Sequence, residues 1–295
     1  MDKHLFELQL TSFAEVEAET QLNATEALEN GRVIYLPKMA FLIRENEEAL
    51  LNPAILSPGE KNVSFDIRTQ QLAGIKDPNL HLKTEFMVER FAHFARGLIE
   101  QLCPQYHASI RWGRTSYRPV EIEGRVTSKR KDDTRVHVDA FPSTPVHGNR
   151  ILRVFSNVNP LGEPRVWHLG EPFSKLLPQF SPRISHYSPL KARVLKWVKA
   201  TRSFRSAYDH YMLSLHDTMK LDDNYQQRLS KFRFDFPTKS TWIVFTDQVS
   251  HAALKGQFLL EQTFYLPVSA MQNPALSPLK QWESCRGSCR IDVHS

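Results

Sequence analysis

The pattern of apolar positions predicts two helices and one strand before residue 110 and mainly strands after it. Residues 20–30 and 82–102 are predicted helices; in the second segment apolar side chains recur at helical spacing, and Pro104 follows it. Runs rich in apolar and β-branched residues, bounded by turn-forming residues, predict strands. These strands span residues 32–37, 110–117, 136–141, 151–157, 165–169, 241–246 and 257–267.

A mostly helical segment interrupts the strands between residues 171 and 235. Strands with one helical insert predict a β-rich α+β fold, in which helices flank the β core and the insert caps it. We expect one domain over residues 1–295, with the insert at 171–235. Residues 273–295 contain Pro and Ser without periodicity, so we expect a loosely held C-terminal tail there.

The segment around residue 137 holds the most informative chemistry. His137 and Asp139 flank Val138, and His251 follows 114 positions after His137. On a strand, residues i and i+2 face the same side, so the imidazole and the carboxylate can converge on one metal ion. A distant His that completes the set gives two imidazoles and one carboxylate, which is typical of non-heme Fe(II) oxygenases that leave positions open for co-substrate and dioxygen.

Composition narrows the class of protein. The 41% hydrophobic and 24% charged residues are ordinary for a soluble globular protein of 295 residues. We find neither an apolar run of about 20 residues nor a basic, apolar leader at the start of the chain. Three cysteines are too few for a disulfide framework, which indicates a reducing cytosol. Cys285 and Cys289 have a spacing that a metal site can use, but exposed thiols are the commoner outcome.

Basic residues are concentrated in two places, and the net charge of +6 favours an anionic partner. Lys129, Arg130 and Lys131 belong to a cluster just before the predicted H-x-D strand. Six further basic residues alternate with apolar ones around Trp197 in a predicted amphipathic helix. Two interpretations of that helix stay open: a solvated face over a core-facing stripe, or a contact with an anionic lipid or phosphorylated substrate.

Several long segments, in this order, resemble the bacterial 3-deoxy-D-manno-oct-2-ulosonic acid (Kdo) 3-hydroxylases, which belong to the Fe(II)- and 2-oxoglutarate-dependent dioxygenases. The resemblance covers residues 110–267. The segments are SYRP at 116–119, RKDDTRVHVDAFPSTP at 130–145, LRVFSNVNP at 152–160 and SHAALKGQFLLEQTFYLP at 250–267.

The resemblance implies a double-stranded β-helix, or jelly-roll core, with His137, Asp139 and His251 as the iron ligands. It also implies Fe(II), 2-oxoglutarate and O2 as cofactor and co-substrates, with succinate and CO2 as co-products. The expected reaction hydroxylates C3 of a Kdo sugar in the inner core of lipopolysaccharide and gives D-glycero-D-talo-oct-2-ulosonic acid.

The chain departs from the wider superfamily in one respect. Many members place an Arg or Lys on the strand after the distal His to bind the far carboxylate of 2-oxoglutarate, but here residues 256–263 contain no cation. Lys255, four residues past His251, lies early for this role. We therefore expect Arg118 or Arg153 to replace it, because guanidinium pairs with a planar carboxylate in a bidentate way. Further hydrogen bonds are expected from Tyr117, Gln257 and Gln262.

A Kdo-containing lipid A precursor carries carboxylates and phosphates at a membrane surface. We expect Lys129, Arg130, Lys131 and Trp197 to contact it. The protein is then a cytoplasmic enzyme that binds peripherally to the anionic inner face of the bacterial inner membrane. No nucleic-acid partner is expected.

Three alternatives remain open. A Ser-His-Asp hydrolase is disfavoured, because His216 and Asp217 are not accompanied by a G-x-S-x-G motif. A 2-oxoglutarate oxygenase acting on a protein, nucleic acid or small metabolite shares the chemistry and differs in the loops. A non-catalytic basic binding module predicts that loss of His137 is harmless and that charge reversal at Lys196 and Lys199 is severe.

Overall fold

The computed structural model describes residues 3–13, 16–190, 204–287 and 289. Its helices lie mostly outside two β-sheets. They are α1 (Ala18–Glu29), α2 (His81–Leu102), α3 (Phe173–Phe180), α4 (Ala207–Leu221), α5 (Asp223–Arg228) and α6 (Pro278–Arg286). Short 3-10 helices include Glu45–Leu50, Pro104–Tyr106, Lys129–Lys131 and Ser181–Arg183.

Two sheets contain the strands of the described chain. The strands are β1 (Leu5–Glu7), β2 (Val33–Leu36), β3 (Val63–Asp66), β4 (Gln71–Ala73), β5 (Arg111–Arg118), β6 (Arg150–Asn157), β7 (Arg165–Pro172), β8 (Phe232–Phe236), β9 (Thr241–Phe245), β10 (Val249–Lys255) and β11 (Leu259–Leu266). The large sheet has the order β1-β2-β9-β6-β11-β5-β3-β4, and the small sheet β10-β7-β8. The β1–β2 pair is parallel and the other pairs are antiparallel.

Side-chain alternation divides each central strand between two cores. In β6 and β9, Phe155 and Trp242 face the small sheet and pack with Trp167 of β7. The intervening Val154 and Ile243 face the opposite way, toward the helices. The space between the sheets therefore has an aromatic core, and inward-facing polar residues of β5, β6, β7, β10 and β11 line the cavity beside it.

The helices cover the outer face of the large sheet. Helix α2 buries a stripe of residues against that face: Met87, Val88, Phe91, Ala95, Leu98, Ile99 and Leu102 are fully buried. The insert helix α4 and the C-terminal helix α6 extend the same core through Leu215 and Trp282. The predicted β-rich core with flanking helices is confirmed, as are both predicted helices near the N-terminus.

The predicted strand at 136–141 is wrong as a regular strand. His137 pairs with His251 of β10 through two backbone hydrogen bonds of 2.8 and 3.0 Å, but Asp139 N–H donates to the carbonyl of Thr246, beyond the end of β9. The segment changes partner within two residues, so no ladder forms. Conversely, β10 was not predicted: it lies between the predicted strands 241–246 and 257–267, and it contains His251.

The boundaries of the insert and of the tail also differ from the predictions. Helices end at Arg228 and β8 begins at Phe232, so the last residues of the segment 171–235 form a strand. The prediction of a loose tail is wrong for α6, because Trp282 is fully buried and its indole N–H points at the sulfur of Met212, 3.4 Å away. Strands β1, β3 and β4 were not predicted. In the described residues we find no helix long and apolar enough to cross a membrane.

Candidate metal centre

His137, Asp139 and His251 come together in the space between the sheets. One ligand atom from each lies within 4.8 Å of the others, and all three residues are buried. Among the described residues, these three form the one group of at least three His, Cys, Asp or Glu side chains with this geometry. Their donor set of two nitrogens and one oxygen matches a facial Fe(II) site, with the remaining positions open to the cavity.

The backbone fixes the orientation of both imidazoles. Nδ1 of His137 lies 2.8 Å from the carbonyl oxygen of Arg135, and Nδ1 of His251 lies 2.8 Å from that of Val249. A carbonyl only accepts, so each Nδ1 carries the proton and each Nε2 keeps its lone pair. Both Nε2 atoms are thus prepared for a metal ion by the same contact, made two residues earlier in the chain.

The protonation states of the three groups suit a cation. Burial lowers the pKa of His137 to about 4 and also lowers that of His251, so both rings are neutral near pH 7. Burial alone would raise the pKa of Asp139, but the positive charge of the Arg153 guanidinium beside it holds that pKa well below its usual range. The site therefore presents two neutral nitrogens and an ionised carboxylate.

Arg153 of β6 binds the carboxylate from the side. Its Nη1 lies 3.0 Å from Asp139 Oδ2 and 3.5 Å from Glu261 Oε1. The other oxygen, Asp139 Oδ1, lies 3.6 Å from Nε2 of His137. Glu261 also pairs with Arg118 of β5 at 3.0 Å. The structure thus brings both predicted arginines into the cavity, each already held by a carboxylate.

Arg165 of β7 is a cavity residue that the sequence analysis missed. It is buried, and its Nη1 donates to the carbonyl of Gly256 at 2.7 Å. Burial and the neighbouring Arg118 lower the pKa of Arg165 to about 9, and no carboxylate lies within 4 Å of it in the described chain. Its position two residues before Trp167 was the available signal, because both then face inward on β7.

Unsatisfied donors mark the wall of this cavity. Nε of Arg153, Nε of Arg165 and Nε1 of Trp167 are buried and lack hydrogen-bond partners in the described structure. Buried donors are rarely left unpaired. A small dianion rich in acceptor oxygens, such as 2-oxoglutarate, fits this set of donors. The full lining of the cavity is Arg118, Asp133, His137, Asp139, Arg153, Phe155, Arg165, Trp167, His251, Ala253, Leu259 and Glu261.

Two predicted 2-oxoglutarate contacts are wrong. Tyr117 alternates with Arg118 and faces the opposite core, where its hydroxyl donates to the carbonyl of Leu50 at 2.9 Å. Gln262 alternates with Glu261 in the same way and bonds to Thr115 at 2.5 Å. Gln257 precedes β11 and does not line the cavity, so its predicted role finds no support either.

The basic cluster before the H-x-D segment is tied to the insert. Lys129 Nζ lies 2.6 Å from Asp223, and Arg130 Nε lies 3.1 Å from Asp217. The charges of Lys129 and Arg130 are therefore neutralised by carboxylates of the insert, outside the cavity. Of the three basic residues predicted to contact the substrate, Lys131 is left without such an ion pair among the described residues. Trp197, the fourth predicted substrate contact, lies outside the described residues.

The insert reaches the metal centre through His216 of α4. Its ring lies edge-on to that of His137, with centroids 5.2 Å apart, and its Nδ1 lies 3.0 Å from Asp217. From the sequence, His216 and Asp217 suggested only a hydrolase. Its place against a candidate ligand indicates support of the His137 ring instead.

Comparisons with known proteins agree with this geometry. The family model for 3-deoxy-D-manno-oct-2-ulosonic acid (Kdo) hydroxylase matches residues 12–288. The comparison with curated proteins found no match.

Solved structures agree with the family match. The chain is similar to the Kdo hydroxylase KdoO, a non-heme Fe(II) α-ketoglutarate-dependent dioxygenase, in complex with cobalt(II), with 47% identity, coverage of 99% of this chain and 98% of that one, and a TM-score of 0.95. The complex of KdoO with α-ketoglutarate and Fe(III) gives 46% identity, 99% coverage of both chains and a TM-score of 0.95. The complex with succinate and Fe(III) gives 45% identity, coverage of 99% and 98%, and a TM-score of 0.94.

The family match spans nearly all of the chain, and the cavity joins a two-His, one-carboxylate centre to arginines that can receive a dicarboxylate. The family expected from the sequence segments is confirmed: this chain belongs to the Kdo hydroxylases.

Proposed function

We propose that this protein hydroxylates C3 of a Kdo sugar in a lipid A precursor, giving D-glycero-D-talo-oct-2-ulosonic acid, with 2-oxoglutarate converted to succinate and CO2. The observation that carries the proposal is the buried cluster of His137, Asp139 and His251 beside a cavity lined by arginines. Family membership supplies the sugar, since Kdo is the substrate in the family's description. We also propose that residues 1–295 act as one dioxygenase domain.

His137, Asp139 and His251 would hold Fe(II), which with bound 2-oxoglutarate supplies the oxidising power for inserting an oxygen atom from O2 into a C–H bond. The contacts from Arg135 and Val249 carbonyls hold the two rings with Nε2 toward the metal position. Arg153 holds Asp139 in its ionised form. These residues do their work by orientation and charge before any substrate arrives.

Arg165 would bind the far carboxylate of 2-oxoglutarate, assisted by Arg118 and by the indole N–H of Trp167. Nε of Arg165 is buried and unpartnered. Among the described residues Arg165 has no carboxylate partner, whereas Arg118 and Arg153 both pair with Glu261. Phe155 and Leu259 provide apolar walls that exclude water from the reacting atoms.

The substrate lies at a membrane, and we propose that the protein is cytoplasmic and visits that surface peripherally. On α2, Leu82 and Phe86 are 66% and 65% exposed, and Leu42 is 67% exposed. Arg44 and Lys83 line the same shallow groove as Leu82 and Phe86. Glu47, which pairs with Arg90, and Glu89 line the groove as well. Exposed apolar side chains beside Arg44 and Lys83 suit an anionic lipid surface.

The test is turnover of the expected substrate. Purified protein is loaded with Fe(II) without oxygen and then given 2-oxoglutarate, O2 and Kdo-bearing lipid A precursor. We expect succinate and a lipid that gains one oxygen atom on the Kdo sugar, located at C3 by NMR. The variant His137→Ala should lose both products.

Each other outcome rejects a defined part of the proposal. Succinate that depends on iron, with an unchanged lipid, would retain the oxygenase and reject the sugar. Full activity in His137→Ala would reject the metal centre and favour the non-catalytic binding module.

A further inference from the structure

Charges in the metal cavity already balance. Its lining has three arginines, Arg118, Arg153 and Arg165, and three carboxylates, Asp133, Asp139 and Glu261. Fe(II) and a 2-oxoglutarate dianion bring equal and opposite charges. A further anion, such as the carboxylate of an ulosonic acid, would therefore lack a counter-charge inside this cavity.

A second, smaller cleft adjoins the cavity and is basic. It is lined by Lys61, Ile122, Arg125, Thr127, Lys131, Asp132, Asp133 and Thr134. Asp133 belongs to both linings, so the cleft opens beside the metal site. The carboxylate of Asp132 is hydrogen-bonded within its own backbone turn. Its Oδ1 accepts from the backbone N–H and the hydroxyl of Thr134 at 2.9 and 2.7 Å.

Arg125 is a preformed anchor in this cleft. Its Nε donates to the carbonyl of Glu121 at 2.5 Å, and its Nη2 donates to that of Val120 at 2.7 Å. These bonds fix the half-buried guanidinium, while Nη1 has no partner among the described residues. No carboxylate of the described residues lies within ion-pair distance, 4 Å, of Arg125, Lys61 or Lys131.

The chemistry of the substrate requires such an anchor close to the metal. In a 2-ulosonic acid the carboxyl carbon C1 and the reacting carbon C3 are both bonded to C2, so the carboxylate must lie beside the reacting position. We propose that the cleft of Lys61, Arg125 and Lys131 receives the sugar carboxylate of the substrate. This inference rests on the proposed function, because it assigns the carboxylate of that same sugar.

The experiment measures binding as well as turnover. The variant Lys61→Gln/Lys131→Gln removes two exposed charges and keeps the fold, and Lys38→Gln/Lys76→Gln is a matched control at exposed lysines outside the described cavities. Binding of Kdo-bearing lipid A precursor is titrated without oxygen, in the presence of Fe(II) and 2-oxoglutarate. We expect the affinity to fall roughly tenfold in the first variant only, as for the loss of charge-assisted hydrogen bonds. The KM for 2-oxoglutarate should not change.

Two arms identify the anion. The titration is repeated with precursor whose lipid A phosphates have been removed enzymatically, which leaves the sugar carboxylate. A loss of affinity that persists supports the carboxylate subsite; a loss that disappears assigns the cleft to phosphate and overturns the proposal. Equal affinity of variant and wild type also overturns it. A wild-type enzyme that binds the lipid without oxidising it would contradict the proposed function alone, because the binding comparison stands without turnover.

Discussion

At the scale of single residues, we propose that Arg165 is the main contact of the co-substrate in the cavity. It is the arginine of the cavity without a carboxylate partner in the described chain, and its pKa is lowered to about 9 by burial and by Arg118. An anion beside it would remove that electrostatic penalty. We therefore expect the loss of Arg165 to affect 2-oxoglutarate binding more than the loss of Arg118 or Arg153.

We expect Arg165→Gln to raise the KM for 2-oxoglutarate by about 10- to 100-fold, because a charge-assisted hydrogen bond to a carboxylate contributes about 1.5–3 kcal/mol. Affinity for the metal should change little. Arg233→Gln is the control, since Arg233 lies on the adjacent strand β8 and pairs with Asp235 on the surface. An unchanged KM in Arg165→Gln would assign the carboxylate to another arginine. Initial rates at varied 2-oxoglutarate measure this.

The buried histidines make the stability of the metal-free protein depend on pH. Burial lowers the pKa of His137 from 6.5 to about 4. Between these two pH values the imidazole is protonated in the unfolded chain and neutral in the folded protein. Stability is therefore present above pH 6.5 and is lost as the pH falls toward 4, by about 3 kcal/mol for this residue.

Urea denaturation of metal-free protein at several pH values between about 6.5 and 4.5 measures this loss. The variant His137→Gln should lose less stability over the same range, because one of the two buried imidazoles is gone. Identical pH dependence in both proteins would show that His137 is not buried in the neutral form.

At the scale of secondary-structure elements, α6 is a structural part of the domain. Trp282 is fully buried, stacks on Tyr211 of α4 with centroids 5.1 Å apart, and belongs to the core that α3 and α4 share. The helix begins at a Ser277 cap that accepts from the Lys280 N–H. One large aromatic side chain thus fastens a segment whose sequence lacks apolar periodicity.

Trp282→Ala should lower the free energy of unfolding by about 3–5 kcal/mol, because it leaves a cavity the size of an indole. Lys280→Ala, on the exposed side of the same helix, should change it by less than about 0.5 kcal/mol. Thermal or chemical denaturation compares them. Equal, small effects would mean that α6 is detached in solution.

The two faces of the strands explain which of the predicted residues line the cavity. Arg153, Arg118 and Glu261 lie on three neighbouring strands of the large sheet, with their side chains on the face toward the small sheet. Tyr117 and Gln262 are one position away in sequence and therefore face the opposite core. The choice between adjacent residues depends on strand phase, which the identity of a residue does not reveal.

At the scale of the whole molecule, the excess of basic residues and the apolar patch on α2 should act together at a membrane. The net charge is +6, and Leu82 and Phe86 are exposed on one helix. Electrostatic attraction brings the protein to an anionic surface, and apolar contact holds it there.

We expect the protein to sediment with anionic vesicles at about 50 mM salt and to dissociate at about 500 mM, where surface charges are screened. Neutral vesicles should bind it weakly. Leu82→Ser/Phe86→Ser should reduce binding to anionic vesicles several-fold without changing the KM for 2-oxoglutarate. Binding that is the same for both proteins would place the membrane contact elsewhere.

The sequence by itself determined the composition of the centre and the family. His137, Asp139 and His251 follow from residue type and spacing, and the long matching segments identify the Kdo hydroxylases, because ligand chemistry and motif order are carried by the chain itself. Helix α2 was predicted because it buries one stripe over many turns, and such a repeated local pattern can be recognised in the sequence alone.

Only the tertiary structure decided what depends on distant pairing. Strand β10, the partner change at Asp139, and the inward faces of Arg165, Asp133 and Glu261 result from contacts between segments that lie far apart in the sequence. Tertiary structure also decided the ion pairs that Lys129 and Arg130 form with carboxylates of the insert. A side chain's neighbours across a sheet are set by register and strand phase, and these become fixed only when both faces of the sheet are packed.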